Sequence, residues 1–199
     1  MKVLLFLNGL FPNDIPDTSL YDLVFCTDGA YNTLKTHNIK PDIISGDLDS
    51  IKRLPSDIEI IETPDQNFTD FEKTLEIIIQ KGGIFVDVYG ASGKEQDHFL
   101  GNLTTALKFE DKLSITFYDN FHYYFITSKN ASLKTQIGKI VSLYPYPSAK
   151  NITTKGLKYP LSNETLDLKD RVGTRNQATN TTIEISFTEG TLIIFIEKD

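Results

Sequence analysis

The chain has 199 residues, of which 40% are hydrophobic and 24% charged, and a formal net charge of −7. That is enough chain to bury one large core or two small ones, and the negative balance argues against nucleic acid as a partner. A single cysteine, Cys26, excludes an intramolecular disulfide. No apolar run approaches the length of a membrane helix, so the expectation is a cytoplasmic protein with no membrane partner.

The first half alternates strand and helix signals. Residues 3–7 are an apolar run that stops at Asn8-Gly9, with no small-residue cleavage site after it, and read as a first strand rather than a signal peptide. Residues 23–26 form a second run, followed at once by Asp28-Gly29. Residues 42–45 end in Gly46-Asp47, residues 58–61 form a fourth run, and residues 84–89 end in Gly90. Between the last two, Phe71, Leu75, Ile78 and Ile79 recur at helical spacing. Thr69 is placed to cap that helix, with Glu72 three residues on, and Gly82-Gly83 ends it. A second helix is expected over 97–108. Strands alternating with helices imply a mostly parallel sheet covered by helices.

Beyond residue 112 the helical signal stops. Strands are expected at 113–118, 123–127, 139–143, 151–154, 181–187 and 192–196. Glu189-Gly190 reads as a hairpin turn between the last two, and Pro145 and Pro147 as a break in the middle. The fold class is therefore an N-terminal parallel-sheet α/β domain over residues 1–130, followed by an antiparallel β-sandwich over 131–199.

The carboxylates gather where predicted strands end. Asp28 follows the second strand, Asp47 and Asp49 the third, and Asp97 lies soon after the fifth. In a parallel sheet those ends face one crevice, where ligands bind. Acids converging there repel one another unless a hard cation or a pKa shift intervenes. Three histidines and one cysteine do not make a zinc site. Magnesium takes oxygen ligands and binds together with substrate phosphates, so it is the expected ion. Each residue also has a plainer reading. Asp28-Gly29 makes a turn, residues 47–50 cap a helix, Asp70 and Lys73 form a surface ion pair, and His98 packs or caps. The stretch Gly90-Ala91-Ser92-Gly93-Lys94 lacks the spacing of a Walker loop, and Glu95 stands where a hydroxyl is needed. It still serves as a glycine loop whose amides approach phosphates.

Taken in order, these segments resemble the thiamine pyrophosphokinase family. Asp28-Gly29-Ala30-Tyr31-Asn32 is similar to its D-G-G-A-N motif. Residues 41–50, Pro-Asp-Ile-Ile-Ser-Gly-Asp-Leu-Asp-Ser, resemble its P-D-x-I-x-G-D-F-D-S motif, the most specific of the set. Asp65-Gln66 with Thr69, Asp70 and Lys73 resembles D-Q-x-x-T-D-x-x-K. Residues 90–98 with Asn102-Leu103 resemble G-A-x-G-G-R-x-D-H-x-x-x-N-L. Residues 156–161 resemble G-L-K-Y-P-L, and Gly173 to Asn176 resemble G-x-S-N.

The resemblance implies an ATP-binding first domain, a thiamine-binding second domain, and a homodimer with sites between subunits. It implies transfer of pyrophosphate from ATP to the thiamine hydroxyl, with release of AMP. Asp47, Asp49 and Asp97 would hold Mg2+, and Lys73 would meet phosphate. Asp49 or Asp70 would take the hydroxyl proton. Asp28, Asn32, Gly90, Ser92, Gly93, Lys94, Asp97 and His98 would line the nucleotide site, and Asn176 would meet the thiamine pyrimidine. The chain departs from the family at Lys94, Glu95 and Arg175, where the motifs carry Gly, Arg and Ser. Two other readings stand beside this one: a related pyrophosphokinase acting on an alcohol such as a hydroxymethylpterin, and a non-catalytic thiamine-binding protein.

Overall fold

A computed structural model describes residues 1–51 and 53–198. Its internal contacts divide it into two units, Met1–Asn120 and Phe121–Asp199. The first is built on six strands: β1 (Lys2–Phe6), β2 (Leu23–Thr27), β3 (Ile43–Gly46), β4 (Glu59–Glu62), β5 (Phe85–Tyr89) and β6 (Ser114–Tyr118). All neighbours are parallel, in the order β4-β3-β2-β1-β5-β6. The chain moves outward from β1 to β4 and then returns to the other side of β1. The direction of winding therefore reverses between β1 and β5, and their C-terminal ends open a crevice there.

Helices cover both faces, as a parallel sheet requires. On one face α1 (Asp28–Thr36) buries Ala30, Tyr31 and Leu34 against Leu4, Phe6, Val24 and Cys26. Phe11 joins the same cluster from the segment after β1. On the other face α2 (Asp70–Gln80) buries Phe71, Leu75 and Ile78, and Phe71 meets Phe117 of β6 edge-on. The third helix, α3 (Gln96–Lys108), is joined to α2 by the Lys108–Glu72 ion pair at 2.8 Å. Thr69 caps α2 as expected, its hydroxyl accepting the Glu72 N–H at 3.2 Å.

The second unit is antiparallel. Its strands are β7 (His122–Ile126), β8 (Asn130–Lys134), β9 (Ile140–Lys155), β10 (Glu164–Asp167), β11 (Gly173–Gln177), β12 (Thr182–Ser186) and β13 (Glu189–Glu197). The sixteen-residue β9 is the spine. It pairs with β13 along one edge, with β11 and β10 in succession along the other, and with β12 at its end. Val141, Leu143, Ile152, Leu166, Ile183, Ile185, Leu192 and Ile194 fill the core.

The expected class, a parallel α/β unit followed by an antiparallel β unit, is what forms. Two local expectations are overturned. Pro145 and Pro147 do not interrupt the chain: both lie inside β9, Pro145 opposite Leu192, where a register shift between Gly190 and Leu192 loosens the ladder. A proline is tolerated at such a bulge because no ladder hydrogen bond is asked of it. Glu189-Gly190 is not a hairpin turn either. These residues open β13, opposite Lys150 and Ala149 of β9, while β12 pairs with β8 and β9.

Candidate active site

A cleft of about 510 Å³ opens in the first unit at the β1–β5 crevice. Its floor is backbone. The strands end, but their chains continue side by side: the Gly9 N–H donates to the Gly90 carbonyl and the Leu10 N–H to the Ser92 carbonyl, both at 2.7 Å. A Cβ on Gly9 would lie 2.2 Å from the Gly90 oxygen, so only glycine permits this approach. Asn102 of α3 donates from Nδ2 to the Ala91 carbonyl at 2.9 Å, which holds the loop against its helix.

The acids stand along one wall. Asp28 is the first residue of α1; its Oδ1 accepts the Gly29 N–H at 2.7 Å, and its charge sits at the helix N-terminus. The residue is 3% exposed, and its Oδ2 is buried with no hydrogen-bond partner. Burial pushes this carboxyl above the ordinary aspartate range, and the charges of Asp70 and Asp47 push the same way. Gly46 makes room for it, since a Cβ there would lie 2.6 Å from the Asp28 carboxyl carbon.

Asp47 and Asp49 flank Leu48, whose φ of +68° is unusual for a non-glycine residue. The tight turn brings Asp49 N–H to Asp47 Oδ1 at 3.2 Å. Gln66 Nε2 donates to Asp47 Oδ2 at 3.0 Å, and that bond is the main cause holding the Asp47 carboxyl below its ordinary range. Asp28, Asp47 and Asp49 each present an oxygen within 4.8 Å of the others. Three hard anionic donors so close, one with a buried unpartnered oxygen, fit a small divalent cation such as magnesium.

Asp70, Lys73, Gly90, Ser92, Lys94, Glu95, Asp97 and His98 also line the cleft. Asp97 is on the lining but outside the three-carboxylate group. Lys94 reaches Asn8 Oδ1 at 3.0 Å, and Glu95 faces His98 at 3.7 Å. Lys73 is tied to Asp70 at 2.9 Å and to two backbone carbonyls. Asn32 and Gly93 are not on the lining; the Asn32 amide donates to the Ser50 carbonyl at 3.4 Å. In the second unit the Asn176 amide bonds the backbone of its own unit. It accepts the Tyr159 and Gln177 N–H groups and donates to the Tyr159 carbonyl.

Several lining residues escaped the sequence reading as site residues, among them Asn8, Gly9, Thr69 and Asn102. The signal for the first two was present, because Asn-Gly directly after the first strand marks the end of β1. A second hidden feature is the link from Ser45 Oγ to Thr74 Oγ1 at 2.6 Å, with Thr74 Oγ1 donating to the Asp70 carbonyl at 2.6 Å. It fixes the start of α2 to the end of β3.

The family profile described as thiamin pyrophosphokinase, catalytic domain, matches residues 18–117, and that described as thiamin pyrophosphokinase, vitamin B1 binding domain, matches residues 129–192. A thiamine pyrophosphokinase from Bacillus subtilis is 26% identical over 214 aligned positions that cover all of both chains. Thiamine pyrophosphokinase 1 from rice is 29% identical over 74% of this chain, a match that spans 62% of the rice protein. Among solved structures, thiamine pyrophosphokinase from Bacillus subtilis superposes with a TM-score of 0.83 at 24% identity, covering 99% of each chain. The Candida albicans protein of the same name does so at 0.81 and 19%, covering all of this chain and 89% of its own. With the catalytic-domain profile matched across half its length, the chain belongs to the thiamin pyrophosphokinase family and is an enzyme of that kind.

Proposed function

We propose that this chain transfers a pyrophosphoryl group from ATP to the hydroxyl of thiamine at the β1–β5 cleft, giving thiamine diphosphate and AMP. The convergence of Asp28, Asp47 and Asp49 carries the reading. A polyphosphate cannot approach three carboxylates without a cation between them. Mg2+ held by Asp28, Asp47 and Asp49, with Asp97 available at the rim, would neutralise charge that develops on the phosphates.

The chain's own groups do the rest. The backbone of residues 90–92 offers amides toward phosphate, and the exposed Lys94 supplies a cation at the mouth. Glu95 lies 3.7 Å from His98, and both side chains line the cleft. The thiamine oxygen attacks the β-phosphorus, and the bond to the α,β-bridging oxygen breaks. AMP leaves with that electron pair. The hydroxyl proton passes to Asp49 or Asp70, both on the cleft wall. The second unit, matched by the vitamin B1 binding profile, contributes to holding thiamine.

The reading extends to a homodimer in the cytoplasm, which rests on the family's pattern. No helix among the described residues is long and apolar enough to cross a membrane. The test is product analysis. Purified protein with ATP, Mg2+ and thiamine should yield AMP and thiamine diphosphate. ADP as the main product, or turnover only with a pterin alcohol, would overturn the assignment. Light scattering at micromolar concentration should report the mass of a dimer.

A further inference from the structure

The family resemblance assigns Lys73 to phosphate, but the fold leaves its ammonium no donor to spare. The side chain is 11% exposed. Its Nζ lies 2.8 Å from the Thr63 carbonyl, 3.0 Å from the Asp65 carbonyl and 2.9 Å from Asp70 Oδ1. A lysine ammonium carries three N–H donors, so these acceptors account for all of them.

The three acceptors sit at the two ends of a single loop. Thr63 directly follows β4, and its N–H donates to the Gly46 carbonyl at 2.8 Å. Asp65 opens the next turn, where its Oδ1 accepts the Asn67 N–H at 2.9 Å. Asp70 begins α2. Between them stands Gln66, whose amide holds Asp47 Oδ2 at 3.0 Å. A continuous chain of bonds therefore runs from Lys73 through the loop to a carboxylate of the three-acid group.

We propose that Lys73 is a positioning residue: it clamps the loop between Thr63 and Asp70 so that Gln66 holds Asp47 in place to receive the metal, and it does not bond the transferred phosphates. This rests on the reading of the three acids as a metal site. Partners that orient ligands are commonly worth 10- to 100-fold in metal affinity.

Charge alone predicts the opposite sign, and that makes the idea testable. Lys73 is a cation near an acidic cluster. If it acted only through its charge, removing it would tighten binding of a divalent cation. The experiment is calorimetric titration of the full chain with Mn2+ alone, without nucleotide, for wild type, Lys73→Met, Gln66→Ala and the double variant. Lys73→Met and Gln66→Ala should each weaken Mn2+ about 10-fold, and the double variant no more than either, because both break one chain of bonds. The KM for ATP of Lys73→Met should return toward wild type as metal is raised.

Unchanged or tighter Mn2+ binding in Lys73→Met, with a KM for ATP that stays high at saturating metal, would overturn the proposal and restore the phosphate role. Should Lys73→Met not fold by circular dichroism, Gln66→Ala carries the test, and unchanged Mn2+ binding there would break the link from the loop to Asp47. The titration involves no thiamine and no turnover. Failure of wild type to make AMP would sink the reaction assigned above without touching this result.

Discussion

The two units treat ionisable groups in opposite ways. The first buries carboxylates: Asp28 at 3% exposure and Asp87 at 7% both lie at or within central strands. Asp87 is met by the Tyr21 hydroxyl at 2.8 Å and by Lys2 at 3.0 Å, whereas Asp28 keeps an oxygen without a partner. The second unit, among its described residues, buries only Thr127, Thr154 and Asn176 as polar groups. Its charges pair outside, across strand neighbours, as in Lys150–Glu189 and Lys155–Glu184 at 2.8 Å. A buried charge without a partner is costly. It persists where a ligand supplies the missing partner, in keeping with the metal site proposed in the first unit.

The largest expected effect tests where that chemistry sits. Asp47→Asn and Asp49→Asn should each lower kcat by about 100-fold or more, as loss of preorganised charge stabilisation does. Both proteins should melt like wild type in the absence of metal. A variant that stays folded and nearly fully active would remove its aspartate from the site.

Asp28 sharpens the contrast, because there function and stability pull apart. Its carboxyl is shifted upward by burial, so the folded protein binds a proton more tightly than the unfolded chain does. The stability this contributes is complete below the ordinary aspartate pKa and is lost as pH rises through the raised value. Above the ordinary aspartate pKa, without metal, the buried carboxyl therefore costs stability. Asp28→Asn should therefore cut activity at least 10-fold while leaving the thermal midpoint at pH 7 equal to or above wild type. Added Mg2+ should raise the wild-type midpoint and not the variant's. A variant that melts below wild type in metal-free buffer would show that the carboxylate is satisfied in a way the fold does not reveal.

A smaller effect is expected at the mouth of the cleft. Lys94→Ala should raise the KM for ATP several-fold and that for thiamine less, whereas Glu95→Ala should be near neutral. Lysine presents a point charge and not the fork of arginine, so the contact is loose. If Glu95→Ala cripples the enzyme and Lys94→Ala does nothing, the roles are reversed.

The smallest effect belongs to the second unit. Lys155→Ala removes an exposed cross-strand pair, and exposed pairs contribute little. Neither the melting midpoint nor turnover should move measurably. A clear loss of activity would mean that this surface takes part in catalysis.

Much of the first unit was legible in the residues because β1, β2 and β3 are largely apolar runs, and α2 shows its period. The exception is α1. Asp28-Gly29 is a turn signal, and a nine-residue helix burying only Ala30, Tyr31 and Leu34 on its apolar side shows too few periodic positions to announce itself. Asp47 and Asp49 were legible for a simple reason: acids directly after an apolar run stand at a strand end. Gln66 was quoted in a motif but not assigned to the site. Its contact with Asp47 depends on a loop conformation held by Lys73, which no periodicity reports.

In the second unit the pattern is weaker because pairing is not sequential. β8, β10 and β11 are short and largely polar, with few large apolar residues to mark them, and none was foreseen as a strand. Residues 139–143 and 151–154 were read as two strands because Pro145 and Pro147 part them, and the register shift that tolerates the prolines is a property of β13.

The spine strand β9 also sets a timetable for synthesis. Every strand of the first unit's sheet finds its neighbours once Tyr118 has been made. β9 must wait, because the partners along both its edges, β10 to β13, all follow it in the chain, and one edge stays open until Glu189–Glu197 emerges. Through that interval a sixteen-residue strand carrying Val141, Leu143 and Ile152 presents unpaired N–H and C=O groups, the form of edge that other chains add to. A ribosome stalled between residues 155 and 189 should therefore hold a finished first unit and a sticky, half-made second one.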